Sequence, residues 1–286
     1  MTSIPLYRTN DLRCIEAKAA DQPLMQRAGQ EAAKLAMAIC TKRNALVLIL
    51  AGPGNNGGDA FEVALLLREH FFETSVVFVG KADQLPTDAA NAYQRFTEAG
   101  GTTLASIPDN CKTRPWSLII DGLFGIGLKR DISDPYAGLI ECANALAACD
   151  KCPLLALDCP SGLNTDTGVI HGATIRASQT ISFIGAKPGL FTADGPDHCG
   201  QVTIASLGLA SESAPEKPGR TIGLDLFSAR LRPRLLNSHK GLHGNAGIIG
   251  GAPGMGGAAL LAARAALRLG SGRVYLGLVG EQSPAL

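Results

Sequence analysis

The sequence lacks an excess of charge of either sign. Its 26 lysines and arginines nearly balance its 25 aspartates and glutamates, giving a formal net charge of +1. Proteins that hold nucleic acid or an anionic membrane surface usually do so through a basic patch. No run of basic residues supplies such a patch here, so we expect neither nucleic acid nor a membrane as a partner.

Long apolar runs are also missing. Every uninterrupted apolar run falls well short of the ~18 residues that a membrane-spanning helix needs. The opening stretch, MTSIPLYRTNDLRCIEAK, contains no apolar core of the signal-peptide type. These two absences predict a cytoplasmic protein.

Patterns for zinc binding and covalent catalysis are equally scarce. The eight cysteines include one CxxC, Cys149 to Cys152, without a second CxxC or a histidine pair to complete a zinc site. We therefore favour reduced cysteines. No serine and histidine stand at a suggestive spacing and no thiol has a reactive context, which makes acyl transfer and thiol redox chemistry poor fits.

Apolar runs of strand length alternate with amphipathic stretches of helix length. The predicted strands cover residues 45–51, 74–80, 117–121, 154–158 and 179–185, and the predicted helices cover 22–43, 59–72, 87–101 and 136–149. This alternation is typical of a parallel sheet with helices on both faces. We predict a three-layer α/β/α Rossmann-like domain with a mostly parallel sheet, whose site lies outside the carboxyl ends of the strands.

A glycine-rich segment, GPGNNGGD, follows the first predicted strand at residues 52–59. Glycines let backbone N–H groups point into one concavity at a helix start, where phosphate is the natural guest. The segment matches neither GxGxxG nor GxxxxGK[ST]. Taken alone, Asp59 fits either an N-terminal helix cap or a ligand contact.

Two other strand ends carry an aspartate beside glycine or proline, Asp121 in DGLFGIGLKRD and Asp158 in LDCPSGLNTDTG. Each alone also fits a tight turn. Together they would meet at one edge of the sheet, where a carboxylate can act as a base and oxygens of Asn, Asp and Ser can cage a monovalent cation. Lys187 follows the predicted strand at 179–185. Its ammonium group can pair with an anionic ligand, pair with one of these aspartates, or be solvated in a turn.

In this order the segments resemble the NAD(P)H-hydrate epimerase family, the YjeF N-terminal domain. Four motifs carry the resemblance, and PLMQRAGQ at 23–30 matches the leading helix of the family. The four are GPGNNGGD at 52–59, DGLFGIGL at 121–128, LDCPSGLNTDTG at 157–168 and TISFIGAKPGLF at 180–191. They span most of residues 10–210 in the order of the family.

The resemblance implies a reaction that interconverts the R and S hydrates of NADH and NADPH at C6 of the nicotinamide ring. It implies substrate contacts from Asn55, Asn56, Gly57, Gly58, Asp59, Gly125, Ile126, Gly127, Leu128, Lys129, Arg130, Asp131 and Asp158. It also implies one potassium ion, held by Asn56, Asp121 and Ser161. We expect Asp158 to be the general acid/base, with Lys187 stabilising its charge or that of the substrate. A homo-oligomer is left open.

The composition changes after residue 210. A polar, proline-containing linker is predicted at 211–222, followed at 223–286 by a strand–helix–strand segment. That segment resembles the start of an ADP- or ATP-dependent NAD(P)H-hydrate dehydratase, a ribokinase-like α/β domain. The catalytic Asp and nucleotide-binding segments of that family come later in its domain. We therefore expect an epimerase domain at 1–210 and an incomplete, inactive dehydratase half, with ADP or ATP required only by the absent part.

Two rival functions fit the sequence less well. A non-catalytic interaction module with the same fold would not need Asn56, Asp59, Asp121, Asp158 and Ser161, all of which are present. A generic dinucleotide-dependent oxidoreductase would need GxGxxG and an acidic residue after the second strand. That place holds a glycine and a lysine instead, at 80–81.

Overall fold

A computed structural model describes residues 3–42, 44–108, 115–128, 131–209, 219–230 and 233–280. The chain divides into two compact units, Met1–Gly223 and Leu224–Leu286. Across the described ranges, no helix is both long and apolar enough to cross a membrane.

The first unit contains strands β1 to β9 and helices α1 to α6. The strands are β1 (Pro5–Leu6), β2 (Leu46–Ala51), β3 (Glu73–Phe78), β4 (Thr103–Leu104), β5 (Leu118–Gly122), β6 (Leu154–Leu157), β7 (Gln179–Phe183), β8 (Gln201–Ala205) and β9 (Gly219–Arg220). The helices are α1 (Thr9–Lys18), α2 (Leu24–Ile39), α3 (Asn55–Glu69), α4 (Thr87–Glu98), α5 (Tyr136–Asp150) and α6 (Gly195–Cys199).

Seven parallel strands form the central sheet, in the order β4-β3-β2-β5-β6-β7-β8. From β2 the chain moves outward through β3 and β4, then returns to the other side of β2 with β5. The strand order therefore reverses between β2 and β5, and ligands of such sheets bind outside the strand ends at this switch point. The predicted fold class is confirmed.

Strand β2 shows why the sheet is built this way, because all six of its residues are buried. Val47, Ile49 and Ala51 pack into a core formed with α2, α3 and α4. Leu46, Leu48 and Leu50 pack on the opposite face into a core that includes α5. A strand buried on both faces has no polar alternation, which explains the continuous apolar run in the sequence.

Helix α3 begins at Asn55, four residues before the predicted start. Gly54 is the N-cap, and its carbonyl accepts hydrogen bonds from the amides of Gly57 at 3.0 Å and Gly58 at 3.3 Å. A side chain on Gly57 would collide with the carbonyl oxygen of Gly52. These glycines thus allow close packing of a helix start rather than loop freedom, and Asp59 lies inside the helix, so the capping interpretation is wrong.

The second unit contains the predicted strand–helix–strand segment. Strands β10 (Asn245–Gly250) and β11 (Arg273–Leu278) pair in parallel, and α7 (Gly256–Leu269) connects them. Residues of both strands alternate between exposed and half-buried. Within the predicted linker at 211–222, residues 211–218 lie outside the described residues. Strand β9 also falls in this linker; it belongs to the first unit and pairs antiparallel with β1 of the same unit.

Candidate active site

A cavity of about 1130 Å³ opens at the carboxyl ends of β2, β5, β6 and β7. Residues from all three motif-bearing strand ends lie along its wall. They are Asn55, Asn56 and Asp59 after β2, Gly125, Ile126, Gly127 and Leu128 after β5, and Asp158 after β6. The parallel sheet thus brings together side chains that are about 100 residues apart in the chain.

The wall of this cavity contains an ion pair between Asp158 and Lys187. The Lys187 Nζ donates hydrogen bonds to Asp158 Oδ1 at 2.6 Å, Ser182 Oγ at 2.8 Å and the Phe183 carbonyl at 3.3 Å. An ammonium has three protons to donate, so each has an acceptor. The Lys187 side chain is 1% exposed and that of Asp158 is 14% exposed. The lysine therefore supports the carboxylate from behind, and the carboxylate faces the cavity.

Two neighbouring strands end in the same unusual backbone conformation beside the cavity. Asp158 follows β6 with φ of 65°, and Ile184 follows β7 with φ of 66°. Their amides donate to the carbonyls of Ile181 and Ala205, each at 2.7 Å. Left-handed backbone is uncommon outside glycine, above all for a β-branched residue, and costs on the order of 1–3 kcal/mol. Both residues line the cavity, so the turn directs the residue after each strand into the site.

Asp121 lies behind the cavity and is fully buried. Its Oδ1 accepts hydrogen bonds from Ser161 Oγ at 2.7 Å and the Leu123 amide at 3.1 Å, and its Oδ2 accepts one from the Ser161 amide at 2.8 Å. Burial raises the pKa of Asp121 to about 6, and the hydrogen bonds from Ser161 and Leu123 oppose that rise. Asp121 thereby joins the loops that follow β5 and β6.

Asn56 has a buried side chain, 8% exposed, with unmet hydrogen-bonding capacity. Neither its Nδ2 nor its Oδ1 has a partner among the described residues. A buried unpaired amide costs roughly 1–3 kcal/mol and calls for a ligand, ion or water. Asn56 is also near the ion pair, since a Cβ on Gly125 would be 3.3 Å from Asp158 Oδ2 and 3.5 Å from Asn56 Cγ.

Two further carboxylates reach the cavity, Asp59 from α3 and Glu16 from α1. Burial raises the pKa of Asp59 well above its ordinary value, and the charges of Asp158 and Glu16 add to the rise. Burial and Asp158 likewise raise the pKa of Glu16. Helix α1 was not predicted from the sequence because it is short and polar. Its only signal was the apolar spacing of Leu12 and Ile15.

Three of the predicted substrate-contact residues, Gly57, Gly58 and Asp131, are not among the residues that line the cavity, and their contacts stay a prediction. Gly57 and Gly58 lie in the first turn of α3, where Gly57 packs against Gly52 and Gly58 against Met25. Asp131 is 82% exposed and its Oδ1 lies 3.3 Å from His171 Nδ1. Lys129 and Arg130 lie outside the described residues.

The expected potassium ligands form no cluster of the kind typical for divalent metals. Within the ranges that the structure covers, no group of three or more His, Cys, Asp or Glu side chains could hold a metal ion. The expected set offers one carboxylate, one amide and one hydroxyl instead. Potassium therefore stays a prediction.

Comparison with known proteins identifies the family. The family described as "YjeF-related protein N-terminus" matches residues 21–189, which is more than half of the chain. The chain belongs to this YjeF-related family.

Curated relatives match most of this chain. The bifunctional NAD(P)H-hydrate repair enzymes Nnr of Vibrio cholerae and Escherichia coli are each 38% identical, over 93% and 95% of this chain. The chain covers 54% and 53% of their lengths, so it spans about half of each. The NAD(P)H-hydrate epimerase of Bordetella bronchiseptica is 39% identical over 75% of this chain, with 92% of that protein covered.

A solved structure shares the YjeF-related fold. The crystal structure of yeast ynu0 superposes with a TM-score of 0.57 at 20% identity. The match covers 70% of this chain and 86% of the yeast chain. At this identity the likeness shows the architecture alone.

Proposed function

We propose that this chain interconverts the R and S hydrates of NADH and NADPH. The observation that carries the proposal is the ion pair of Asp158 and Lys187 in the wall of a cavity of about 1130 Å³. The epimerase of Bordetella bronchiseptica, almost all of which this chain covers, supports the choice of reaction. A cavity of this size suits a ligand larger than the nicotinamide ring alone.

The chemistry needs a group that moves protons. Inverting the configuration at C6 requires that one bond of C6 be broken and remade. If the bond from C6 to the hydroxyl oxygen breaks, that oxygen gains a proton and leaves as water, and the returning water loses a proton. If the bond from C6 to the ring nitrogen breaks, the hydroxyl loses a proton as C6 becomes an aldehyde carbon, the nitrogen gains one, and ring closure reverses both transfers. The Asp158 carboxylate is the group we assign to this transfer. Lys187 holds its Oδ1 at 2.6 Å, and Oδ2 lies toward Gly125 on the cavity wall.

A potassium ion fits the oxygen-bearing side chains of Asn56, Asp121 and Ser161. Asn56 has an unpaired buried amide, and burial raises the pKa of Asp121, which a cation would lower. Asn56, Asp121 and Ser161 are the residues that would hold it. A bound monovalent cation would supply positive charge next to the carboxylates of the site.

The substrate contacts in this proposal follow the lining of the cavity. Asn55, Asp59 and the stretch Gly125–Leu128 would contact the hydrated dinucleotide, since they line the same wall as Asp158. Cytoplasmic localisation and the open question of a homo-oligomer remain predictions from the sequence.

The test is chromatography of the two hydrates. The hydrates of NADH and NADPH are abbreviated NADHX and NADPHX. NADHX enriched in the R form is incubated with the purified chain in potassium buffer, and the amount of the S form is followed over time. We expect a much faster return to equilibrium than in buffer alone, with the same final R to S ratio. An unchanged time course would contradict the proposal and favour the non-catalytic interaction module.

A further inference from the structure

Arg95 of α4 lines the cavity and has one edge of its guanidinium free. Its Nε donates a hydrogen bond to Glu62 Oε1 at 3.1 Å, and its Nη2 donates to the same oxygen. Its Nη1 makes no hydrogen bond to any residue in the described part of the chain. Glu62 is buried, whereas the Arg95 side chain is 36% exposed. The buried carboxylate therefore holds one edge of the guanidinium and leaves the other accessible.

The support behind this arginine is part of the packed core. The ring of Phe61, which precedes Glu62 on α3, lies 5.1 Å from the ring of Tyr93 and 5.8 Å from that of Phe96. Tyr93 and Phe96 flank Arg95 on α4. Both helices are thus fixed to each other where the ion pair forms, and a charged group held in place loses little entropy when it binds a ligand.

The acidic side chains that line the cavity favour a phosphate-binding role for Arg95. The lining includes the carboxyl groups of Glu16, Asp21, Asp59, Asp88 and Asp158, and the raised pKa of Asp59 favours its neutral form. Among the described lining residues, the cationic side chains are Arg13 and Arg95. A substrate that carries phosphates would be repelled by so acidic a wall unless a cation received those phosphates. A guanidinium with a free edge matches the geometry of a phosphate.

We infer that Arg95 binds a phosphate of the hydrated dinucleotide and that Glu62 positions it. The inference rests on the proposed function for the identity of the ligand. The phosphate belongs to the pyrophosphate that both substrates share or to the 2′-phosphate that only NADPHX carries. In either case α4 forms the phosphate-binding wall of the cavity, and the wall with Asp158 and Lys187 receives the nicotinamide ring.

The test measures binding by calorimetry and turnover by chromatography. NADHX, NADPHX and the hydrate of reduced nicotinamide riboside, which has no phosphate, are titrated into wild type and Arg95→Gln. We expect Kd for the dinucleotide to rise at least about tenfold, with kcat changed much less than KM. The Kd for the riboside hydrate should change less than twofold. Arg68→Gln is the matched control, because Arg68 is a half-buried arginine that does not line the cavity and that donates a hydrogen bond to the Gly100 carbonyl.

The outcomes separate the two possible phosphates. Equal losses for NADHX and NADPHX assign Arg95 to the pyrophosphate, and a loss confined to NADPHX assigns it to the 2′-phosphate. If Arg95→Gln binds both dinucleotides as wild type does, or loses the riboside hydrate equally, the inference is overturned. If wild type and Arg95→Gln interconvert the hydrates with the same KM and kcat, this inference is overturned and the epimerase proposal stands. Arg95-dependent binding without turnover would overturn the epimerase proposal alone.

A second variant guards against misfolding. Arg95→Gln leaves the buried Glu62 unpaired, which can destabilise the chain. The double variant Glu62→Gln/Arg95→Gln removes both charges and should melt closer to wild type. It should show the same rise in Kd for the dinucleotide, and a wild-type Kd in this folded variant would refute the role of Arg95.

Discussion

Asp121 and Asp158 look alike in the sequence, yet the structure gives them different surroundings. Asp121 is the last residue but one of β5, Asp158 follows β6 directly, and each precedes a turn rich in glycine or proline. Asp121 is fully buried, and both its oxygens accept hydrogen bonds from Ser161 or Leu123. Asp158 is 14% exposed, faces the cavity and has one oxygen held by Lys187. The strand end places an aspartate at the site, and its partners determine what it can do there.

The difference bears directly on chemistry. A fully buried carboxylate that accepts three hydrogen bonds from protein donors is poorly placed to take a proton from a substrate. A carboxylate that keeps one oxygen toward the cavity can do so, and a fixed ammonium behind it stabilises its charge. We therefore assign proton transfer to Asp158. Asp121 instead holds together the loops that follow β5 and β6.

The substitution that breaks this comparison most strongly is Asp158→Asn. The amide cannot accept a proton, so kcat for R-to-S conversion should fall by about 10²–10⁴-fold. Chromatography of enriched R-NADHX measures the rate. Because Lys187 would lose its counter-charge, Asp158→Asn/Lys187→Met serves as a folded control. Turnover by Asp158→Asn at the wild-type rate would remove the aspartate from the mechanism.

Lys187→Met should have the next largest effect. It removes an ammonium that is 1% exposed and three hydrogen bonds. We expect kcat to fall by roughly 10–100-fold and the free energy of unfolding to fall by about 1–3 kcal/mol. Denaturant melts and initial rates measure the two losses. Lys42→Met, at an exposed position, should change neither, and an unaltered rate in Lys187→Met would contradict the support assigned to Lys187.

Ser161→Ala sharpens the role of Asp121. It removes the hydroxyl that donates to Asp121 Oδ1 at 2.7 Å and accepts from the Phe124 amide at 2.9 Å. A loss of about 1–3 kcal/mol in unfolding free energy is expected, because buried polar groups lose their partners. Chemical denaturation measures it against Ser133→Ala at an exposed position. Equal stability of the two variants would show that the Asp121–Ser161 contact contributes nothing.

The substitution Asp59→Asn should have the smallest effect, a change in melting temperature. Asp59 lines the cavity as Asp158 does, and burial raises its pKa as it raises that of Asp121. Burial and neighbouring carboxylates raise its pKa in the folded chain. The unfolded chain therefore releases this proton first as pH rises above about 4, and the wild type loses stability until the folded pKa is passed. Asp59→Asn removes that loss, so its melting temperature should exceed that of wild type at pH 8, with a smaller gap at pH 5. A gap that widens toward low pH would contradict this assignment.

The fold was largely predictable because burial leaves a clear pattern in the sequence. Strand β2 is buried on both faces, and its apolar run, together with the alternation of strand and helix patterns, predicted a parallel sheet with helices on each side. Helix α1 and the edge strands β4 and β8 were missed, since they are short or partly polar. The start of α3 was misplaced because the glycines there looked like loop residues. Their role is close backbone approach, which only the packed structure reveals.

The candidate site was predictable only in part. The strand-end rule and the family resemblance brought Asn56, Asp121 and Asp158 to one edge of the sheet, where the structure has them. No sequence signal marks the left-handed turns at Asp158 and Ile184, because neither position is a glycine. Arg95 was missed because it lies within an ordinary amphipathic helix. Its importance comes from a contact with Glu62, 33 residues away.

The dependence of R-to-S conversion on potassium tests the distinction between the two aspartates most directly. Initial rates of wild type, Asp121→Asn and Asp158→Asn are measured from potassium-free buffer to saturation, with ionic strength held constant by a bulky organic cation. We predict that Asp121→Asn needs more potassium than wild type but recovers a substantial rate at saturation. Asp158→Asn should stay near the uncatalysed rate at every concentration. If Asp158→Asn rises to the wild-type plateau when potassium is added, Asp158 is not the proton-transferring group.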